Sequence, residues 1–358
     1  MKQNNYLLNF LKVTFFALLL IATSPVRAEI KVVTTIKPLH SLIANVMDGV
    51  GEPSLIIEDS TSPHSFTLKP SHAKLLEEAD LIFWVGEGIE TFMERPLESI
   101  VKNAEVVEFM EVESIEKLKF REESIYGDHD DHDDHDDHED HDYHDDHDGH
   151  DDHDDHDDHD DHEDHDDHDV HDDHDDHDDH DDHAGHEGHN HGEFDAHIWL
   201  DPMNAKEMVR EIAHELGHLD PTNKDKYEAN ADATILALDQ LIEDVSKDIN
   251  KDAKFVVFHD AYQYFEERFG VRAEGALTLN TDVLPGAKQI DEIQDVIKDR
   301  GVNCIFSEPQ FNPKIITTIA KDTNIKTGVF DPLGANINSD KDLYFKLISN
   351  LGSELKGC

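Results

Sequence analysis

The chain has 358 residues and a formal charge of −54, from 84 acidic and 30 basic residues, with 29 histidines that are not counted in that charge. Such a balance argues against nucleic acid and anionic lipid surfaces as partners and favours cations. After the first 28 residues no apolar segment is long enough to span a membrane.

Residues 1–28 read as a cleaved export signal. Lys2 and Lys12 stand in an acid-free start, Val13 to Ala22 is a short apolar core, and Val26-Arg27-Ala28 ends in a small-x-small cleavage pattern, so the mature chain begins near Glu29. The predicted location is therefore the periplasm.

Short apolar runs then alternate with helical patterns. Strands are predicted at 31–36, 54–57, 81–85 and 105–108, and helices at 38–47, 71–79 and 91–102. Such alternation predicts a parallel sheet covered by helices.

Between Asp128 and Glu193 the character changes. Histidine recurs almost every third residue with aspartates between, and the run holds 36 acids and no Lys or Arg, which leaves −18 for the rest. It has almost no apolar side chains to offset an ordering cost of roughly 1–2 kcal/mol per residue. A disordered, metal-trapping loop is predicted. Without this run and the signal about 264 residues remain, enough for two lobes.

Past the insert an amphipathic helix is predicted over 204–217, and a long one from 223 to about 250 carries one apolar stripe from Tyr227 to Ile249. At 1.5 Å per residue that helix would be about 42 Å long, which suits a spine between lobes. The second half repeats the alternation, with strands at 255–258, 272–277, 303–307 and 327–330 and helices at 261–269, 286–300, 313–322 and 340–356. The predicted fold is α/β, two pseudo-symmetric lobes with parallel sheets joined by one long rigid helix. Residues 29–221 form the first lobe including the 128–193 loop, 222–250 the link and 251–358 the second lobe. Ligands in open α/β sheets sit beyond the strand carboxyl ends, here in the cleft between lobes.

Three histidines fall there. His64 follows the second strand, His197 lies before the 204–217 helix, and His259 ends Phe255-Val256-Val257-Phe258; Asp331 holds a similar place after Val329-Phe330. Three neutral imidazoles with a carboxylate or water make a tetrahedral Zn²⁺ site. Taken singly each histidine also fits a surface or capping role. His40 and His72, near helix starts, are expected to be exposed. Glu308 is either a cleft residue or a structural hydrogen-bonding acid, and Trp84, Trp199 and Phe311 read as packing residues. Cys304 and Cys358 are the two cysteines, compatible with one disulfide or two thiols.

His214-Glu215-Leu216-Gly217-His218 matches H-E-x-x-H, the helical zinc-protease motif. Both histidines fall on the polar side with Arg210, and the helix is expected to stop between Gly217 and Pro221. A protease site is disfavoured.

The set Pro63-His64-Ser65-Phe66-Thr67-Leu68-Lys69-Pro70, Asp195-Ala196-His197-Ile198-Trp199-Leu200-Asp201-Pro202, Phe258-His259-Asp260-Ala261-Tyr262, Ser307-Glu308-Pro309-Gln310-Phe311 and Asp331-Pro332-Leu333-Gly334 resembles the zinc-uptake solute-binding proteins of ABC transporters, the cluster A-I family. A His-rich loop before the second ligand motif is typical of the zinc branch. The resemblance implies metal held between the lobes on His64, His197 and His259. Some relatives place a glutamate directly before the first ligand; Pro63 stands there, so that ligand is absent. Asp331 matches a ligand position of manganese-binding relatives, and His259 stands where those carry a carboxylate, which favours zinc. A Cys304–Cys358 disulfide is also implied.

The expected function is high-affinity capture of Zn²⁺ and delivery to a membrane permease, by a monomer that is not an enzyme, with the loop as auxiliary trap or sensor. A secreted zinc hydrolase and a metal store are the alternatives.

Overall fold

The computed structural model describes residues 30–121, 123–125, 192–279, 281 and 285–358. The export segment and most of the His/Asp-rich run lie outside the described residues.

The first half forms strands β1 (Val32–Thr34), β2 (Ser54–Leu55), β3 (Leu81–Trp84) and β4 (Glu105–Glu108), with helices α1 (Lys37–Val46), α2 (Pro70–Glu78) and α3 (Glu94–Ser99). Its sheet is parallel, in the order β2-β1-β3-β4. Pro38 and Pro70 sit in the first turns of α1 and α2, where a missing N–H costs nothing, and Ile36 and Lys69 ahead of them are extended. The single helix expected over 91–102 is instead a 3₁₀ turn, Thr91–Met93, followed by α3. The cause is Pro96, whose ring would meet the carbonyl four residues earlier in a continuous α-helix.

Next come α4 (Pro202–Leu219) and the long α5 (Lys224–Asp248). Asp201 caps α4 by accepting the Met203 amide at 2.8 Å, with Pro202 at the first position. The second half has β5 (Phe255–His259), β6 (Gly275–Thr278), β7 (Cys304–Ser307) and β8 (Lys326–Val329) with α6 (Gln263–Phe269), α7 (Ala287–Asp299), α8 (Lys314–Thr323) and α9 (Leu343–Lys356). Its sheet, β6-β5-β7-β8, is again parallel and copies the first sheet's order.

Alternation along β5 shows how the layers divide. Phe255 and Val257 enter a continuous apolar core that includes β1, β3, α1, α4, α5 and α9. Val256 and Phe258 point the other way, into a smaller core under α7 and α8 with Ile293, Ile297, Ile316 and Ile319. Side chains of successive strand residues face opposite sides, so one strand feeds both.

The chain end returns to the first half. Helix α9 packs on α1 and α5. The Tyr344 amide donates to Ser41 Oγ at 3.1 Å, and the Ser41 hydroxyl donates to the Lys341 carbonyl at 2.9 Å. Gly352 allows α9 to approach α5 closely, since a Cβ there would stand 2.9 Å from Val245 Cγ1. Cys358 is then joined to Cys304 on β7, with Cα atoms 5.8 Å apart, as the resemblance implied.

Candidate metal centre

Of the three predicted histidines, one ends a strand and the other two lie in or next to 3₁₀ turns. His64 is in the 3₁₀ turn Pro63–Ser65 after β2, held from both sides by Pro63 and the extended Phe66. His259 is the last residue of β5. His197 begins the 3₁₀ turn Ile198–Leu200, which leads into α4. That turn is pinned to the second half: Trp199 Nε1 donates to the Pro332 carbonyl at 2.8 Å, and the hydroxyl of Tyr264 to the Asp195 carbonyl at 2.6 Å.

The three rings converge. Centroids are 5.6 Å apart for His64–His197, 5.9 Å for His64–His259 and 5.2 Å for His197–His259. One nitrogen from each lies within 4.8 Å of the other two. His197 Nε2 and His259 Nε2 are 3.3 Å apart. Two nitrogens bound to one tetrahedral Zn²⁺ at 2.0–2.1 Å would stand about 3.4 Å apart. Between the rings is a space of ≈ 10 Å³, walled by Ser62, Ile89, Trp199 and Leu333.

The far side of each buried imidazole identifies the free nitrogen. His197 Nδ1 pairs with Asp195 Oδ1 at 2.7 Å, and His259 Nδ1 with Glu308 Oε1 at 2.6 Å. A carboxylate accepts, so each Nδ1 carries the proton and each Nε2 keeps its lone pair. Two buried lone pairs facing each other at 3.3 Å are relieved either by a proton shared between them or by a metal ion that both bind. His197, His259, Asp195 and Glu308 are all at least 95% buried, so water does little to screen the arrangement. Burial pushes the His259 pKa down; the carboxylates of Glu308, Asp260 and Asp195 together outweigh it, and the net shift is upward.

Glu308, left open between two roles, is thus both structural and at the site. It is also the partner that sequence reasoning did not pair with His259; its place directly after β7, beside β5, was the available signal. Asp195, two residues before His197 in the quoted motif, was likewise unassigned. Asp331 is not brought into the cluster. Its Oδ1 accepts Gln310 Nε2 at 3.0 Å and the Leu333 and Gly334 amides, and its Oδ2 accepts the Ala335 amide at 2.6 Å. It organises the loop behind the site.

Other expectations are corrected or refined. His40 and His72 are half-buried rather than exposed, His40 Nε2 lying 3.1 Å from the Pro53 carbonyl and His72 Nδ1 accepting the Lys69 amide at 3.2 Å. Trp84 and Trp199 are buried packing residues, as read. His214 and His218 have side chains 73% and 70% exposed, on the opposite end of α4 from His197.

The roots of the insert border the site. Lys119 and Phe194 pair antiparallel, and the Asp195 amide donates to the Leu118 carbonyl at 2.8 Å. Beyond them Ile125 pairs with Gly275 on β6, and Arg121 bridges Asp260 at 2.8 Å and Glu266 at 2.6 Å. A cavity of ≈ 170 Å³ lined by Phe120, Arg121, Ala196, Leu279 and the three histidines opens beside these strands.

Comparison with known proteins identifies the family and the fold. The family profile "Zinc-uptake complex component A periplasmic" matches residues 32–358. The high-affinity zinc uptake system protein ZnuA of Brucella abortus (strain 2308) is 46% identical over 329 residues, 91% of each chain. The protein of the same name from Yersinia pestis is 32% identical over 353 residues, 98% of each chain. Among solved structures, a crystal structure of ZnuA superposes with a TM-score of 0.65 at 18% identity, covering 92% of this chain and 98% of that one. A zinc-bound ZnuA mutant lacking residues 138–173 of its own numbering gives 0.62 at 19% identity, covering 91% and 96%. At these identities the two structures speak for the fold.

Proposed function

The chain belongs to the periplasmic zinc-uptake component A family, and from that premise we propose that it captures Zn²⁺ on His64, His197 and His259 and hands it to an ABC-type permease. The observation that carries the ligand set is the pair of carboxylate-backed imidazoles whose Nε2 atoms face each other at 3.3 Å. Oriented, deprotonated imidazoles bind a borderline-soft cation well, and an all-nitrogen set selects zinc over manganese. The ion is cargo, so the site needs affinity and release, and no reaction is catalysed. Water completes the shell in place of Asp331, whose oxygens are engaged in its own loop.

In this reading residues 1–28 direct export and are removed, the protein works as a monomer, and Lys224–Asp248 links the lobes. The 128–193 run gathers zinc beside His197, raising its local concentration. Zinc titration of the full chain then shows one tight site and many weak ones. Deleting the run leaves the tight site, and His197→Ala removes it. Loss of tight binding on deletion, with His197→Ala silent, would instead make the run the principal site and the protein a store.

A further inference from the structure

The H-E-x-x-H segment is not absorbed by the cleft, yet its surroundings are built of metal-binding groups. Glu215 and His218 are three residues apart on α4, so they share one helix face. Opposite them stands Glu105, the first residue of edge strand β4. One ligand atom from each of the three lies within 4.8 Å of the others. His214 is not a member, so the motif's own histidine pair is not the donor set.

Two details point to a missing cation. His218 Nδ1 and Glu105 Oε1 are 3.7 Å apart, an ion-pair distance that leaves no direct hydrogen bond between them. Glu105 Oε2 is wholly buried and has no hydrogen-bond partner, and such an oxygen requires compensation.

We propose that Glu105, Glu215 and His218 form a second divalent-cation site, taking zinc or a similar first-row ion, that clips the last turn of α4 to edge strand β4. It is independent of the transport cleft. The cleft lies at the strand carboxyl ends, whereas Glu105 begins its strand, and α4 carries His218 about 24 Å from Pro202. Its donors are partly exposed and must be ordered on binding, so it holds its ion more weakly than the cleft does.

The test is residue-resolved carbethoxylation of the full-length protein, read by mass spectrometry, across a series of buffered free Zn²⁺ concentrations. His214, equally exposed and one turn away, is the internal reference. At free zinc tenfold above the site's Kd, His218 modification slows by about tenfold while His214 is unchanged. Glu105→Gln and Glu215→Gln each abolish that protection. An equal rate at His218 with and without zinc overturns the proposal. So does protection that survives both substitutions, or protection shared equally by His214.

Discussion

Two histidine-bearing regions of one chain can be set side by side: the cleft, and the H-E-x-x-H face of α4. The second has the better-known sequence spacing and the first has none, its ligands being 133 and 62 residues apart. In the cleft each of two imidazoles is buried and backed by a buried carboxylate. On α4 both histidines are mostly in solvent, and His214 is 3.7 Å from the nearest Glu215 oxygen. Ordered donors, rather than donors close in sequence, make the tight site.

The largest expected contrast follows directly. His197→Ala or His259→Ala lowers affinity at the tight site by more than about 100-fold, because losing a ligand exceeds the 10- to 100-fold cost of losing its outer partner. His214→Ala and His218→Ala leave that affinity unchanged. Competition against a chelator of known affinity measures both; equal losses at the two regions would erase the distinction.

The contrast extends to buried carboxylates. Glu308 faces an imidazole, whereas Glu90, wholly buried, receives the Val85 and Gly86 amides at 2.7 and 3.2 Å. Burial pushes the Glu90 pKa to about 7. The folded protein therefore holds a proton that the unfolded chain releases above about pH 4.5, and stability falls as pH rises from there to about 7. The shift corresponds to about 3 kcal/mol. Glutamine can accept the same two amides, so Glu90→Gln raises the melting temperature at about pH 8 and leaves it unchanged at about pH 4. A flat wild-type stability profile across that window would show that Glu90 is ionised at no cost.

Third in size is the carboxylate behind the ligand. Glu308→Gln keeps the shape of the side chain and removes the charge that favours the Nδ1 proton of His259, and zinc affinity falls by about 10- to 100-fold. Asp195→Asn acts in the same way through His197. Unchanged affinity in both variants would mean that the imidazoles need no backing.

Much of this was legible in the sequence, for reasons that also mark where legibility stopped. Strands such as Phe255-Val256-Val257-Phe258 are short, apolar and bounded, and all eight predicted strands have counterparts among the described residues. The long helix predicted from Asn223 runs over Lys224–Asp248. His259 could be named because an apolar strand announces its carboxyl end, whereas His64 and His197 sit in loops and were singled out as a set by the family resemblance. Pairings across the sheet were harder. Nothing local ties Glu308 to His259, since their contact depends on β5 and β7 being neighbours. Asp331 stands after a strand as His259 does, but its loop turns the carboxylate onto amides 333–335, and turn geometry is not written in residue type alone.

The smallest effect concerns pH, and it separates the two regions without any substitution at a ligand. Zinc binds the deprotonated imidazole, so occupancy falls as pH drops through the histidine pKa. At His259 the neighbouring carboxylates, Glu308 foremost, lift that pKa above its ordinary value of 6.5 despite burial. Loss of tight zinc from the cleft therefore begins at higher pH than an unperturbed histidine would give. Glu308→Gln removes the main part of the lift and leaves the burial, which favours the neutral ring, opposed only by the weaker pull of Asp260 and Asp195. The variant binds zinc more weakly at about pH 8, yet the pH at which its binding is half lost moves down. Affinity and midpoint thus shift in the same direction, which simple destabilisation of the site would not produce. A midpoint that stays fixed, or rises, would show that Glu308 orients the ring without setting its charge.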